Sequence, residues 1–166
     1  MHIFVNNKYI SFNNYKVKCS VGKRGIGKKK KEGDLITPKG SFKIKNILYR
    51  KDRIKNIQTK LETIPIKKNM AWCDDPSSKK YNKLVILPFK FSHEKLYRKE
   101  NVYDIILVLN YNTTPIKKNK GSAIFIHVAK KNYKKTEGCI ALKKNHILKL
   151  IKIINNKTKV IIENQK

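Results

Sequence analysis

The apolar residues of this chain come in short runs. The most continuous are Val102 to Leu109 and Gly121 to Ala129, and polar or lysine-rich stretches bound both. A short run that is apolar at nearly every position fits a strand covered on both faces, as at the centre of a sheet. Elsewhere the pattern alternates. Ser41 to Tyr49 sets Phe42, Ile44 and Ile47 against Lys43, Lys45 and Asn46, which predicts a strand with one buried face. Residues 2–21 read as short strands parted by Asn6-Asn7 and Asn13-Asn14, because asparagine tolerates the left-handed backbone of tight turns. Lys83 to Phe89, Cys139 to Leu142 and Lys159 to Glu163 read as further strands. Residues 51–82 read mostly as loop around Trp72, and Ser92 to Glu100 as one or two helical turns. One segment has the helical period: Ile147, Leu150, Ile151 and Ile154, with Asn145 as the expected N-cap. Many strands and one C-terminal helix predict a mainly β chain.

Length and charge bound the function. At 166 residues a single domain over 1–166 is expected, large enough to bury a core. Lys+Arg 40 against Asp+Glu 11 gives +29, which by itself invites a nucleic-acid reading. The excess is almost all lysine, since Arg24, Arg50, Arg53 and Arg98 are the arginines, whereas bidentate readers of phosphate and bases favour arginine. The charge is therefore expected to be a solvated face, with no specific nucleic-acid partner. Gly22-x-x-Gly25-x-Gly27 lacks the Gly-Lys-Ser/Thr ending of a phosphate loop. Cys19, Cys73 and Cys139 are odd in number and widely spaced, which argues against a disulfide framework. The four histidines have no ligand spacing, so neither a metal nor another cofactor is expected. The N-terminus lacks the pattern of a secretory signal and no apolar run approaches a membrane span, so the expectation is a cytoplasmic monomer.

Chemistry concentrates in one stretch. His127 closes the run Ile124-Phe125-Ile126, and Cys139 follows in Thr136-Glu137-Gly138-Cys139. A thiolate is a strong nucleophile, and an imidazole near neutrality can take the thiol proton. Gly138 permits close approach or positive φ, and backbone N–H groups of Gly138 and Cys139 could hold an oxyanion. Spacing alone favours the plainer reading, a core cysteine at a strand start and a histidine satisfied by backbone, since free cysteine is among the most buried residue types.

The wider sequence narrows this. His127…Thr136-x-Gly138-Cys139-Ile140-x-Leu142 resembles the H…[S/T]-x-G-C-[I/V]-x-[L/M] signature of the L,D-transpeptidase catalytic domain, also called the YkuD-like domain. Glu32-Gly33-Asp34 with Thr37-Pro38-x-Gly40-x-Phe42 is similar to a second segment of that family. Tyr49-Arg50-x-Asp52-Arg53, Trp72-Cys73-Asp74-Asp75-Pro76, Tyr81-Asn82, Tyr103-Asp104 and Gly121 to Phe125 resemble blocks of a compact subfamily. The chain departs from the commonest pattern at Glu137, Ala141 and Val128. Glu137 should raise the thiol pKa, and Lys134, Lys135, Lys143 and Lys144 should oppose it.

The resemblance implies a β-sandwich of mixed sheets with short helical turns besides the one helix. It implies Cys139 as nucleophile, His127 as base and Gly138 in the oxyanion site. The implied substrate is the peptidoglycan stem tetrapeptide, cut between the L-centre of a diamino acid and D-alanine through a thioester. An amine acceptor gives transpeptidation; water gives L,D-carboxypeptidation, which a cytoplasmic location favours. Thr136, Arg50, Arg53, Trp72, Asp74 and Asp75 are the substrate-binding candidates. Each has a plainer alternative: Thr136 a turn, Arg50 and Arg53 ion pairs with Asp52, Trp72 a core residue, the two aspartates partners of nearby lysines. Cys73 is read as cleft lining or a buried thiol. The competing function is a basic module that binds nucleic acid or an anionic polymer without catalysis.

Overall fold

A computed structural model of the chain describes residues 1–164. Strands β1 (His2–Val5), β2 (Tyr9–Phe12) and β3 (Tyr15–Lys18) form an antiparallel meander. Its corners are built by asparagine: Asn6 Oδ1 accepts the N–H groups of Lys8 and Tyr9, and Asn13 takes φ 47°. β4 (Ile26–Gly27) pairs in parallel with β5 (Thr37–Pro38). β6 (Gly40–Tyr49) is flanked at its end by β7 (Thr63–Pro65). β8 (Met70–Cys73), β9 (Leu84–Ile86) and β10 (His93–Lys95) form a separate sheet in the order β10-β8-β9. β11 (Ile105–Leu109), β12 (Phe125–Val128), β13 (Ile140–Leu142), helix α1 (Lys144–Ile153) and β14 (Lys159–Ile162) complete the chain. The large sheet runs β13-β12-β11-β6-β14-β1-β2-β3 with β7 on β6. It is mixed, with parallel pairs at β12–β13, β1–β14 and β6–β7.

Period-2 alternation explains how one sheet serves two cores. Ile105, Leu107 and Leu109 of β11 join the cluster that contains Ile147, Leu150, Ile151 and Ile154 of the helical segment. Ile106 and Val108, the intervening residues, join Leu48, Trp72, Leu96, Tyr103 and Phe125 on the opposite face. The helix therefore covers one face of the sheet and the small sheet covers the other. A strand apolar at every position is what such double coverage demands.

Two expectations are corrected. Residues 92–100 hold strand β10 rather than helical turns. Its register, His93↔Cys73 and Lys95↔Ala71, gives the buried edge of β8 the backbone partners it needs. A 3-10 turn follows only at Asn101–Tyr103. Residues 51–82 are mostly loop, as expected, with the short strands β7 and β8 set into them, and β8 is buried throughout. Asn145 is not the N-cap. Helix α1 starts at Lys144 with Lys143 before it and no side-chain cap, because the N–H groups of His146 and Ile147 already reach the Lys143 carbonyl.

One carboxylate ties the framework together. Asp104, 1% exposed, accepts Arg53 Nη1 at 2.8 Å and Lys144 Nζ at 2.9 Å, so the turn after β6, the start of β11 and the first turn of α1 meet on it. The helix itself is held by apolar burial. Leu150→Ala removes a wholly buried side chain and is expected to cost about 2–5 kcal/mol. A lower denaturant midpoint at unchanged slope is the readout, and a change under about 1 kcal/mol would mean that α1 does not anchor the sheet.

Candidate active site

The register of β12 and β13 brings the two reactive residues into one cleft. On β12, Ile126 and Val128 face the helix, so Phe125 and His127 face the small sheet. β13 runs parallel to β12 with Ile126↔Ile140 and His127↔Ala141. The residue that precedes β13, Cys139, therefore lies beside Phe125. The Phe125 N–H donates to Cys139 Sγ at 3.4 Å, and the thiol donates to the Ala123 carbonyl at 3.0 Å. His127 and Cys139 both line a cavity of about 480 Å³.

The turn before the thiol is fixed from both sides. Gly138 has φ +144°, and a Cβ there would come within 3.0 Å of the Ile36 carbonyl oxygen, so only glycine fits. Thr37 Oγ1 donates to the Gly138 carbonyl at 2.8 Å while accepting the Gly22 N–H at 2.8 Å. Thr136 Oγ1 accepts the Gly138 N–H at 3.2 Å and donates to the Cys139 carbonyl at 2.6 Å. Two threonine hydroxyls thus hold the consecutive carbonyls of Gly138 and Cys139.

The imidazole is set by backbone. His127 Nδ1 lies 3.0 Å from the Val128 carbonyl oxygen. A carbonyl can only accept, so Nδ1 carries the proton and Nε2 keeps its lone pair. The Tyr103 ring stands edge-on to the imidazole, with centroids 5.5 Å apart. Tyr103 OH donates to Glu94 Oε1 at 2.7 Å, and Arg98 Nη2 pairs with the same oxygen at 2.9 Å. The orienting group that the sequence left open is a main-chain carbonyl.

Burial governs the charges. Desolvation pushes the Cys139 thiol up to about 12; Glu94 and Glu137 add to this, while the Phe125 N–H and Lys29 oppose it. Desolvation pushes His127 down to about 4, helped by Lys130 and Arg98 and opposed by the Val128 carbonyl. The resting pair is a neutral thiol and a neutral imidazole. Glu137 does act in the direction its charge implies, but burial and then Glu94 outweigh it.

The remaining candidates separate. Thr136, Gly138 and Asp74 line the cleft with Cys139 and His127. Asp74 Oδ1 is buried there with no hydrogen-bond partner among the described residues. Arg50, Arg53, Trp72 and Asp75 do not line it. Arg50 is occupied by a bidentate pair with Asp52 at 2.8 and 2.6 Å, by the Arg98 carbonyl at 2.6 Å, and by stacking on Tyr97. Arg53 serves Asp104 and the carbonyls of Lys99 and Glu100. Trp72 packs edge-on to Phe125 in the second core, with its N–H on Asn82 Oδ1 at 3.0 Å. Asp75 closes a turn, accepting from Ser77 and from the Ser92 N–H. Cys73 is wholly buried. Sequence reasoning missed Lys29, Glu94, Arg98 and Tyr103, which all line the cleft. The scarcity of arginine could have flagged Arg98; nothing singles Lys29 out of the run Lys28 to Lys31. Among the described residues, no group of three or more His, Cys, Asp or Glu could hold a metal ion, and no helix is long and apolar enough to cross a membrane.

Comparison with the curated proteins finds none that matches. Among solved structures, the chain is similar to the helical cell shape determining protein Pgp2 from Campylobacter jejuni, with a TM-score of 0.52 and 19% identity. That match covers 99% of this chain and 48% of the other, so the chain spans about half the length of its structural relative. A K307A mutant of the same protein gives a TM-score of 0.48 at 21% identity, over 99% of this chain and 47% of that one. The likeness shows a shared fold. The model of the L,D-transpeptidase catalytic domain, YkuD, matches residues 1–162. The chain belongs to the L,D-transpeptidase catalytic-domain (YkuD) family.

Proposed function

We propose that this protein catalyses cysteine-dependent acyl transfer on peptidoglycan stem tetrapeptides, at the bond between the L-centre of the diamino acid and D-alanine. The observation that carries the proposal is the thiol of Cys139 in one cleft with an imidazole whose tautomer leaves Nε2 free to accept a proton. The cell-shape role in the name of the similar solved structure supports a wall substrate. Cys139 Sγ attacks the scissile carbonyl as its proton passes to His127 Nε2. With the thiol high and the imidazole low, full transfer before attack is uphill, so C–S bond formation and proton transfer proceed together. The oxyanion takes the N–H groups of Gly138 and Cys139, displacing the Thr136 hydroxyl from Gly138. The C–N bond then breaks, the imidazolium returns its proton to the amine of D-alanine, and a thioester remains. Water releases the tripeptide acid, completing L,D-carboxypeptidation; an amine acceptor gives the cross-linked product. Asp74, with its unpartnered buried oxygen, receives the side-chain ammonium of the diamino acid.

Product mass spectrometry with a purified tetrapeptide muropeptide, with and without an acceptor amine, is the test. Release of D-alanine is expected to fall about 10³-fold or more in Cys139→Ala. A tripeptide product identifies carboxypeptidation and a joined product transpeptidation. No turnover and no adduct on intact Cys139 would sink the proposal in favour of the basic binding module.

The neutral resting pair has its own consequences. Alkylation of Cys139 by iodoacetamide is expected to climb with pH through the neutral range and on beyond pH 10. A plateau below pH 7 would instead reveal a preformed thiolate–imidazolium pair. The folded pKa of His127 lies below the unfolded value, so the unfolded chain binds more protons between about pH 6.5 and 4. Stability is therefore lost as pH falls through that window, by about 3 kcal/mol from this group. His127→Asn should flatten that part of the pH–stability curve; an unchanged slope would place a charged imidazole in the fold.

A further inference from the structure

One buried cation in the cleft takes no step in the reaction above. Lys28, Lys30 and Lys31 are exposed, but the Lys29 side chain between them is 3% exposed. Its Nζ donates to Asp34 Oδ1 at 2.6 Å and to the Ile36 carbonyl at 3.1 Å. An ammonium has three N–H donors, so one has no partner among the described residues, and Lys29 lines the cavity that holds Cys139. Two glycines make room for it. A Cβ at Gly121, where φ is +97°, would overlap Lys29 Cε, and one at Gly138 would lie 3.6 Å from Nζ.

Asp34 keeps the cation in place. Burial would raise this carboxyl, but the Lys29 ammonium and the N–H groups of Lys30 and Ile36 outweigh it and hold it below the usual range. A buried ion pair is a weak source of stability, and an apolar pair of similar volume often serves as well. The pair does offer a desolvated N–H toward the cleft, where a charge-assisted hydrogen bond is stronger than at the wet rim of Lys23, Lys130, Lys134 and Lys135.

Position selects the ligand. The partners of Cys139 Sγ are the Ala123 carbonyl and the Phe125 N–H, not Lys29. The ammonium instead lies against Gly138, one residue from the nucleophile. In an acyl donor that ends in D-alanine, the permanent negative charge also lies one residue from the scissile carbonyl. We propose that Lys29 is the carboxylate-binding residue of the cleft, its third N–H donating to the C-terminal carboxylate of the acyl donor. The assignment rests on the acyl-transfer reading for its substrate, but not for the anion site itself.

Two small reagents separate these. Iodoacetate and iodoacetamide differ by one charge next to the carbon that Cys139 attacks. The ratio of their alkylation rates at Cys139, mapped by mass spectrometry, is compared with that of a blocked cysteine peptide. The wild-type ratio is expected to favour iodoacetate about tenfold over the peptide, the size of one charge-assisted hydrogen bond. Lys29→Met should return it to the peptide value, and Lys29→Arg should keep most of it. Lys29→Met strands the buried Asp34 charge, so Lys29→Met/Asp34→Asn carries the same test where the single variant does not fold. An unchanged ratio in a folded variant without Lys29 overturns the proposal. With stem tetrapeptides that end in carboxylate or amide, the acid-to-amide ratio of kcat/KM should fall about tenfold in the same variants; an equal loss on both peptides also overturns it. A wild-type protein that prefers iodoacetate but turns over neither peptide keeps the carboxylate site and overturns the acyl-transfer reading instead.

Discussion

Two strands in the middle of this protein have water on neither side. β11 and β12 are buried at every position, and their alternate residues feed two different cores. A one-residue slip in either strand would exchange those faces and turn His127 toward the helix. Register is therefore the constraint on which the rest of the protein depends. It is what lets a parallel neighbour, β13, deliver Cys139 to the same side of the sheet as the imidazole. His127 sits inside β12 and Cys139 just ahead of β13, and other side chains of the cleft wall reach in from elsewhere.

The same depth that orders the site sets its electrostatics. In a chain of charge +29, simple attraction would keep a thiol acidic. Burial does the opposite here, and it dominates both Cys139 and His127. Surface lysines act through water and are screened. The acids with influence are few and near: Glu94 stands in the cleft wall, braced by Tyr103 and Arg98. Net charge therefore says little about the local field at the sulfur.

The sheet-forming segments were legible because their evidence is local. Alternation in Ser41 to Tyr49, the unbroken run over 102–109 and the helical spacing of Ile147, Leu150, Ile151 and Ile154 each follow from burial of one or two faces. β10 was not legible, because Ser92 to Glu100 is polar and becomes a strand only by pairing with β8. At the site, the family motif singled out Cys139, His127 and Gly138, and these three line one cleft. It misdirected the arginines, since a guanidinium that grips substrate and one that clamps Asp52 or Asp104 look alike in sequence. Trp72 misled for a similar reason: a large apolar ring suits a cleft wall and a core equally. Lys29 was hidden by its neighbours, because one buried lysine among exposed ones leaves no compositional trace.

The passage between the two reactive strands has a consequence of its own. Parallel neighbours are usually joined by a long crossover with a helix, yet here residues 129–139 return the chain with only a 3-10 turn at Lys131–Tyr133. Neither end of that passage depends on its middle: His127 is set inside β12, and the Cys139 turn is clamped by Thr37 and Thr136. The segment from Lys130 to Lys135 is therefore rim rather than framework: Lys130, Lys134 and Lys135 are exposed and line the mouth of the cleft. The separation of His127 and Cys139 is set by the sheet, while the rim of the cleft is set by a loop.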